Sequence, residues 1–372
     1  MYRLIIYFGY IKSTSSEFLV NLLKNLKCSL IFTTYESGCV VIISAKENKL
    51  VQLTRSFKKP MGIALNKDKL ALATLNELLI FSNNNDLALT YPNKPETYDS
   101  LYMPRASYYT GNLDLHDIDF GSDNEIYAVN TRFSCISKID ADFSFKPVWK
   151  PSFVSRILPE DRCHLNGMAL LEGKPRYVTA LSQTDVAGGW RDNITSSGVL
   201  IDIVKNKLIL EGLGMPHSPR IINNELFLLQ SSKGEVVKVD VSNKKYEVVA
   251  KVPGILRGMV EYGGYVFIGV SKPRKSSKTF EKLPDEFKKQ SAGIVVFYKP
   301  TWGYVGEIKY SSPINEIFDV QVLPDLLRPN VITRASELVE NTIVAKNLSF
   351  WYKKTNIAKS TNLKTKNNGK VE

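Results

Sequence analysis

A unit of two short β-strands recurs through this chain and constrains its fold more than any other feature. Each unit has a small or polar turn, an apolar strand, a turn rich in Asn, Asp, Gly or Lys, and a second apolar strand. The units start near Met61, His116, Asn166, Ser218, Arg257 and Phe318. Their spacing of about 40 to 60 residues is typical of β-propeller blades, which usually hold four strands each. The pattern predicts an all-β propeller with six blades, and five or seven blades are alternatives because the last intervals are uneven.

The two ends of the repeat predict how the ring closes. Residues 29–34 form an apolar strand before the first unit, and residues 318–323 start the last unit. Pairing these two strands in one blade would tie the chain ends together and remove an open sheet edge. We therefore expect a lead-in over residues 1–28, a propeller over 29–329, and a basic, largely disordered tail over 330–372. Helical patterns occur at residues 17–26 and 334–346.

The net charge of +12 is concentrated in two places. Residues 331–372 carry a net charge of +5 and residues 272–289 a net charge of +4. No nucleic-acid-binding motif accompanies this charge, so we expect solvated segments and no specific nucleic-acid partner. No apolar run is long enough to cross a bilayer. The four cysteines show no C-x-x-C spacing, which indicates reduced thiols, and we expect a cytoplasmic protein.

The three histidines of the chain, His116, His164 and His217, are separated by 48 and 53 residues. Each lies at or just before the start of a unit, so a closed ring would bring the imidazoles to one end of its axis. Three imidazoles with an open fourth position suit one Zn, Mn or Fe ion. Separate hydrogen-bonding histidines are the alternative, because strict strand alternation turns His217 away unless Pro216 and Pro219 break it. No Gly-rich phosphate loop is present, so no nucleotide cofactor is expected.

Arginines in motifs that contain Pro, Gly or His predict an anionic ligand, because a guanidinium matches carboxylate, phosphate or sulfate groups. We assign catalytic roles to Asp117, Arg220 and Arg257. We assign substrate binding to six residues, which are Arg105, Arg162, Asn166, Trp190, Arg191 and Arg274. The alternatives are arginines that tie blades together through aspartates, a packed Trp190, and a turn at Asn166.

Several long motifs resemble those of one protein family. They include YMPRASYYTG at 102–111, EDRCHLNG at 160–167, GGWR at 188–191, MPHSPR at 215–220 and SKPR at 271–274. The chain is similar over residues 29–324 to a bacterial family of conserved proteins of unknown function. The resemblance implies a propeller-like fold and brings no activity with it, and the tail after Pro329 lies outside the family's pattern.

These features lead to two classes of functional hypothesis. The first is a metal-dependent lyase, hydrolase or isomerase that acts on an anionic carbohydrate or another small anionic metabolite. The alternative is a propeller without catalytic activity that binds a glycan or other ligand, or a protein partner, since a fold alone does not define a function.

Overall fold

The computed structural model describes residues 11–273, 280 and 283–352. The first part of the chain forms β1 (Lys12–Ser15), α1 (Phe18–Asn25), β2 (Cys28–Thr34), β3 (Cys39–Lys46), β4 (Lys49–Ser56), β5 (Ile63–Asn66), β6 (Lys69–Ala73), β7 (Glu77–Asn83), α2 (Asn85–Leu89), β8 (Ser100–Tyr109), β9 (Leu115–Phe120), β10 (Ile126–Asn130), β11 (Cys135–Ile139) and β12 (Lys146–Trp149). The middle part forms β13 (Leu165–Leu171), β14 (Lys174–Ala180), a short 3-10 helix (Gly189–Arg191), β15 (Gly198–Asp202), β16 (Lys207–Leu213), β17 (Pro216–Ile222), β18 (Glu225–Gln230), β19 (Glu235–Asp240) and β20 (Lys245–Lys251). The last part forms β21 (Ile255–Tyr262), β22 (Tyr265–Ser271), α3 (Asp285–Lys289), β23 (Gly293–Tyr298), β24 (Gly303–Ser312), β25 (Asp319–Pro324), β26 (Pro329–Val331), α4 (Glu337–Glu340), β27 (Thr342–Ala345) and β28 (Leu348–Trp351).

Six antiparallel sheets are arranged as the blades of a propeller, which confirms the predicted fold and blade number. Blades 1 to 5 begin with β5, β9, β13, β17 and β21 as their innermost strands, and blade 6 begins with β25. Each innermost strand contacts the innermost strand of the next blade, and β25 contacts β5, so the ring is closed. All six innermost strands run beside the central axis.

Ring closure occurs at the predicted seam. The innermost strand β25 comes from the C-terminal part of the chain, and β2, β3 and β4 from the N-terminal part complete its sheet. The pairing runs from Cys28 opposite Pro324 to Thr33 opposite Asp319. This blade therefore holds the two ends of the ring together through backbone hydrogen bonds.

The hydrophobic core consists of six wedges, one between each pair of neighbouring blades. Strand β2 shows why the strands are apolar without interruption. Leu30 and Phe32 pack against residues of blade 5, whereas Ile31 between them packs against blade 1. Because successive side chains of a strand point to opposite faces, a central blade strand buries both faces.

Elements outside the blades cover parts of the ring. Strand β1 pairs with β24 of blade 5, and Leu19 and Leu23 of α1 are buried in the wedge between blades 5 and 6. Strand β26 pairs in parallel with β8 of blade 1. Residues 337–351 hold α4 and the β27–β28 hairpin, where the sequence predicted one longer helix and a disordered tail, and residues 353–372 lie outside the described part. The boundaries predicted for the three regions stay predictions. None of the helices in the described part is both long and apolar enough to cross a membrane.

Candidate functional site

Two adjoining cavities lie at one end of the central axis, and together we call them the axial funnel. The outer cavity has a volume of about 260 Å³, and the inner chamber has a volume of about 10 Å³. His116, Arg257 and Phe318 line both. A larger open groove of about 810 Å³ lies between blades 3 and 4, and none of the predicted site residues lines it.

The three histidines approach the funnel at two levels. His116 and His164 line the outer cavity, and their ring centroids are 4.8 Å apart. His116 and His217 line the inner chamber. Among the described residues, no group of three or more His, Cys, Asp or Glu side chains is arranged to hold a metal ion.

Backbone irregularities at the starts of the innermost strands aim these side chains. Strand β17 contains a register shift between His217 and Arg220, and Ser218 within it has a φ of 48°. His164 has a φ of 50° just before β13. A bulge adds a residue and re-aims the side chains beside it, so His217 lines the chamber although strict alternation would turn it away.

His116 and His217 have the same hydrogen-bonding environment in alternate blades. Nδ1 of His116 lies 3.0 Å from the carbonyl oxygen of Asp114 and 2.8 Å from Oγ1 of Thr131. The Thr131 hydroxyl donates its own proton to the carbonyl oxygen of Leu165 at 2.6 Å. Nδ1 of His116 must therefore carry the proton, which leaves the Nε2 lone pair as an acceptor.

The matching set in blade 4 fixes His217 in the same tautomer. Its Nδ1 lies 2.9 Å from the carbonyl oxygen of Met215 and 2.9 Å from Oγ of Ser231. The Ser231 hydroxyl donates to the carbonyl oxygen of Leu256 at 2.6 Å. Nε2 of His217 is buried and has no hydrogen-bond partner among the described residues.

Burial keeps both of these imidazoles neutral. It lowers the pKa of His116 to about 4, although Asp114 opposes the shift. The pKa of His217 also lies well below its ordinary value because of burial, and the charge of Arg257 lowers it further. Both rings therefore offer a neutral nitrogen acceptor at neutral pH.

His164 has a different environment. Its Nδ1 lies 2.9 Å from a carboxylate oxygen of Asp161, and that same oxygen accepts a hydrogen bond from Nε1 of Trp190 at 2.9 Å. The rings of His164 and Trp190 lie 4.1 Å apart at 33°, and the guanidinium of Arg191 lies 4.2 Å from the centre of the Trp190 ring. His164, Trp190 and Arg191 therefore form one wall of the outer cavity, with Asp161 also lining it.

A buried ion cluster lies in the inner chamber around Arg220. Nη1 of Arg220 donates to Asp117 at 2.9 Å, and its Nη2 lies 3.9 Å from a carboxylate oxygen of Asp319. Burial alone would lower the pKa of Arg220, but the carboxylates of Asp117 and Asp319 raise it above its ordinary range. Burial raises the pKa of Asp319 to about 7 and that of Asp119 to about 6, while Arg220 opposes both shifts. Arg220, on β17 of blade 4, thus lies between carboxylates of blades 2 and 6, and its predicted catalytic role stays a prediction.

The other predicted site residues lie in different places. Asn166 lines the inner chamber, where its Oδ1 accepts from Thr179 and its Nδ2 has no partner among the described residues. Arg162 is bound by Glu160 and Asp185 at 2.8 and 2.6 Å and lines neither cavity. Arg105 is exposed on β8, the fourth strand of blade 1. Arg274 lies outside the described residues.

The sequence did not single out three residues that shape the funnel. Asp161 holds His164 and Trp190 together, and its spacing of three residues from His164 was a usable signal. Thr131 and Ser231 fix the two neutral imidazoles. Each follows the second strand of its blade, a position at which nothing in the local sequence marks a functional hydroxyl.

Comparisons with known proteins support the fold and identify the family. A chain described as "Crystal structure of Nidogen/Laminin Complex" is similar in structure, with a TM-score of 0.51 and 9% sequence identity over 80% of this chain and 99% of that chain. At this identity the likeness concerns the fold alone. No curated protein matches the chain in sequence. Residues 17–332 match the family described as "Domain of unknown function (DUF4915)", and the chain belongs to that family.

Proposed function

We propose that the axial funnel binds a small carboxylate that also carries hydroxyl groups, such as an acidic monosaccharide. One observation carries the proposal. Nε2 of His217 and Nδ2 of Asn166 are buried without partners in the described structure, and Arg257 lines the same chamber. Buried polar atoms without partners cost free energy, so a site that keeps them open is suited to a ligand that supplies the partners.

The donors and acceptors of the funnel match this ligand class. Arg257 provides a positive charge for a carboxylate, and the Asn166 amide provides a further donor. The neutral Nε2 atoms of His116 and His217 accept hydrogen bonds, which ligand hydroxyl groups donate. A simple inorganic anion would leave the imidazole acceptors unused.

The dimensions of the funnel support a ligand of monosaccharide size. The outer cavity of about 260 Å³ is smaller than the ~300–1,000 Å³ of sites for drug-sized molecules. The inner chamber of about 10 Å³ admits one small group, such as a hydroxyl group or a water molecule. Trp190 provides an aromatic wall at the mouth, against which a sugar ring can pack.

The test compares a hexuronate with the neutral hexose of the same stereochemistry by calorimetry and thermal unfolding. We expect the hexuronate to bind and raise the unfolding temperature, and the hexose to bind at least about tenfold more weakly because it lacks the charge. Arg257→Gln should abolish the difference, and His217→Gln should weaken the binding of both sugars. Arg334→Gln is the control, because Arg334 is an exposed arginine that lines neither cavity of the funnel. No binding by the wild type, or binding that survives both funnel substitutions, would contradict the proposal.

Proton transfer by His164 is a second candidate function, and the Asp161–His164 contact favours it. A carboxylate on Nδ1 fixes the tautomer and orientation of an imidazole, which suits a general base. The hydrogen bonds of His164 to described residues all use Nδ1, so Nε2 is available to a ligand in the outer cavity. Exchange of a carbon-bound proton of the hexuronate in D2O, followed by NMR, would detect this activity. Asp161→Asn should abolish exchange while the ligand still binds.

A single Zn, Mn or Fe ion is the competing proposal for the same imidazoles. Its support is that each Nδ1 faces an oxygen two or three residues upstream, as the second nitrogen of a metal-binding histidine usually does. The charge of Arg257, which acts on both His116 and His217, opposes a cation in the chamber. Metal analysis of the purified protein separates the two proposals. One tightly held ion per chain, lost in His164→Ala, would replace the anion proposal with the metal proposal.

A further inference from the structure

The inner chamber contains two guanidinium groups, Arg220 and Arg257, and two carboxyl groups, Asp117 and Asp319. The hydrogen bonds of Arg220 to carboxylates go to Asp117, whose two oxygens accept from Nη1 and Nη2 at 2.9 and 3.3 Å. Oδ1 of Asp319 lies 3.9 Å from Nη2 of Arg220, which is longer than a hydrogen bond. Within the described part of the chain, Asp319 is therefore the chamber carboxyl group that has no hydrogen-bonded cation.

The surroundings of Asp319 make its charge sensitive to pH. The residue is 3% exposed, and its two oxygens accept from the backbone nitrogens of Ile63 at 3.1 Å and Val320 at 2.9 Å. Burial raises its pKa to about 7, while Arg220 opposes the rise and the charge of Asp117 adds to it. Asp319 therefore gains or loses its proton close to neutral pH.

The strands around Asp319 add one further charge. Strands β2, β5, β21 and β22 pack against β25, and β2, β5 and β22 contain no Asp, Glu, His, Lys or Arg. Strand β21 provides Arg257, which lines the same chamber. Across the axis, β9 and β17 also provide His116 and His217, which burial keeps neutral by lowering the pKa of His116 to about 4 and that of His217 well below its ordinary value. Asp319 is therefore the chamber group that we expect to change its charge near neutral pH.

We propose that Asp319 takes up a proton from solvent when an anion binds in the axial funnel, and that the funnel therefore binds its ligand more tightly below neutral pH than above it. Arg257 lines both cavities, so an anion that it holds lies next to the chamber. A negative charge there disfavours the ionised form of Asp319. Because linkage is reciprocal, a proton on Asp319 strengthens anion binding by the same factor. This inference rests on the function proposed above, since it concerns the regulation of that same site.

The direction of the pH dependence follows from these charges. The neutral form of Asp319 predominates below about pH 7 and the carboxylate above it. An ordinary carboxyl group has a pKa of about 4, so a hexuronate stays ionised throughout this range. Coupling between two sites of a protein is typically about 5- to 150-fold. We expect the hexuronate to bind about tenfold more weakly at pH ~8.5 than at pH ~5.5.

The test is calorimetry of the full chain with the hexuronate at these two pH values, repeated near neutral pH in buffers of different ionisation enthalpy. The buffer dependence of the heat gives the number of protons that accompany binding, and we expect a net uptake of part of one proton per ligand. Asp319→Asn carries a permanently neutral side chain of similar shape. It should bind the hexuronate with equal affinity at both pH values and without proton uptake.

Two further variants assign the titrating group. Burial also raises the pKa of Asp119, to about 6, but Asp119 lines neither cavity, so Asp119→Asn should keep most of the pH dependence. His164 lines the outer cavity. A pH dependence that disappears in His164→Gln and persists in Asp319→Asn would belong to His164 and would overturn the proposal. Should Asp319→Asn fail to fold, proton uptake that persists in both other variants supports the proposal, and its loss in either one contradicts it.

Carbon-13 NMR of the aspartate carboxyl groups follows Asp319 in the chain without ligand. We expect its signal to titrate near neutral pH, whereas titration near pH ~4, as in an ordinary aspartate, would overturn this proposal and leave the proposed function intact. Equal hexuronate affinity at both pH values with no proton uptake would have the same meaning. Failure of the hexuronate to bind at any pH would contradict the proposed function and this inference with it.

Discussion

Replacement of Asp117 by Ala should remove the central tie of the axial ion cluster. The Asp117 carboxylate accepts from Nη1 and Nη2 of Arg220 at 2.9 and 3.3 Å and from the backbone nitrogen of Met168 at 3.0 Å. It lies on β9 in blade 2, whereas its partners lie in blades 3 and 4. The substitution therefore removes the contacts by which this carboxylate connects three innermost strands beside the axis.

The size of the effect follows from these contacts. Removing one partner of a buried ion pair costs about 3–5 kcal/mol, because the remaining charge is left in the interior. The backbone N–H of Met168 also loses its acceptor, which costs about 1–3 kcal/mol by itself. Arg220 keeps Asp319 at 3.9 Å, which limits the loss. We therefore expect Asp117→Ala to lower the free energy of unfolding by about 3–4 kcal/mol, a large part of the ~5–15 kcal/mol of a typical domain.

Urea unfolding followed by tryptophan fluorescence measures this loss, since the chain has four tryptophans. Asp142→Asn is the control, because Asp142 forms an exposed pair with Lys146, and we expect no measurable change. The double variant Asp117→Ala with Arg220→Met should be more stable than the sum of the two single losses predicts, because the loss of the Asp117–Arg220 pair is then counted only once. A loss from Asp117→Ala no larger than that of the control, or simple additivity in the double variant, would refute the reasoning.

Three further predictions concern the same framework. Gly258→Ala should cost about 2 kcal/mol or more in urea unfolding, because Gly258 has a φ of 69° and a Cβ there would lie 2.6 Å from the backbone nitrogen of Val320; a neutral effect would contradict the close approach of blades 5 and 6. Phe32→Ala should cost about 3–5 kcal/mol, because Phe32 is fully buried in the wedge beside the seam; a loss below about 1 kcal/mol would contradict that packing. Burial lowers the pKa of His116 to about 4, below its value of about 6.5 in an unfolded chain, so its contribution to stability is present above about pH 6.5 and is lost as the pH falls toward 4. Unfolding curves across this range should show about 3 kcal/mol less acid destabilisation for His116→Asn than for the wild type, and equal slopes would contradict the neutral state of His116.

The fold was predictable because the signals that define it are local. Each unit carries its own turns and apolar strands, and six repetitions leave few closed arrangements other than a propeller. The seam was predictable for the same reason, since residues 29–34 and 318–323 were the two strands left at the ends of the repeat. The structure pairs Cys28–Thr34 with Asp319–Pro324, within one residue of both predicted strands.

The direction in which an individual side chain points was less predictable, because β-bulges determine it. Period-two alternation gives the face of a residue in a regular strand, and one inserted residue reverses that face. His217 lines the inner chamber because Ser218 adopts a left-handed conformation, which the flanking prolines suggested and did not require. Arg162 shows the opposite case. Its sequence motif predicted a substrate-binding residue, but its guanidinium lies outside both cavities and is paired with Glu160 and Asp185.

Residues 334–351 show where sequence patterns fail to predict secondary structure. The helical periodicity of residues 334–346 competes with β-propensity in Thr342, Ile343 and Val344, and the structure ends α4 at Glu340. A four-residue helix followed by a hairpin depends on a surface against which Trp351 can pack. That surface is formed by residues about 260 positions earlier in the chain, so local sequence cannot supply it.

Ring closure explains how distant residues come to share one funnel. His116, His164 and His217 lie at the starts of innermost strands in three successive blades, and these starts meet at the same end of the axis. A polar side chain at any of the six starts is therefore close to the funnel whatever its distance along the chain. His116 belongs to both cavities, with His164 beside it in the outer one and His217 in the inner one. The few residues at the strand starts therefore determine the chemistry of the proposed site, and we expect substitutions there to alter the funnel without altering the blades.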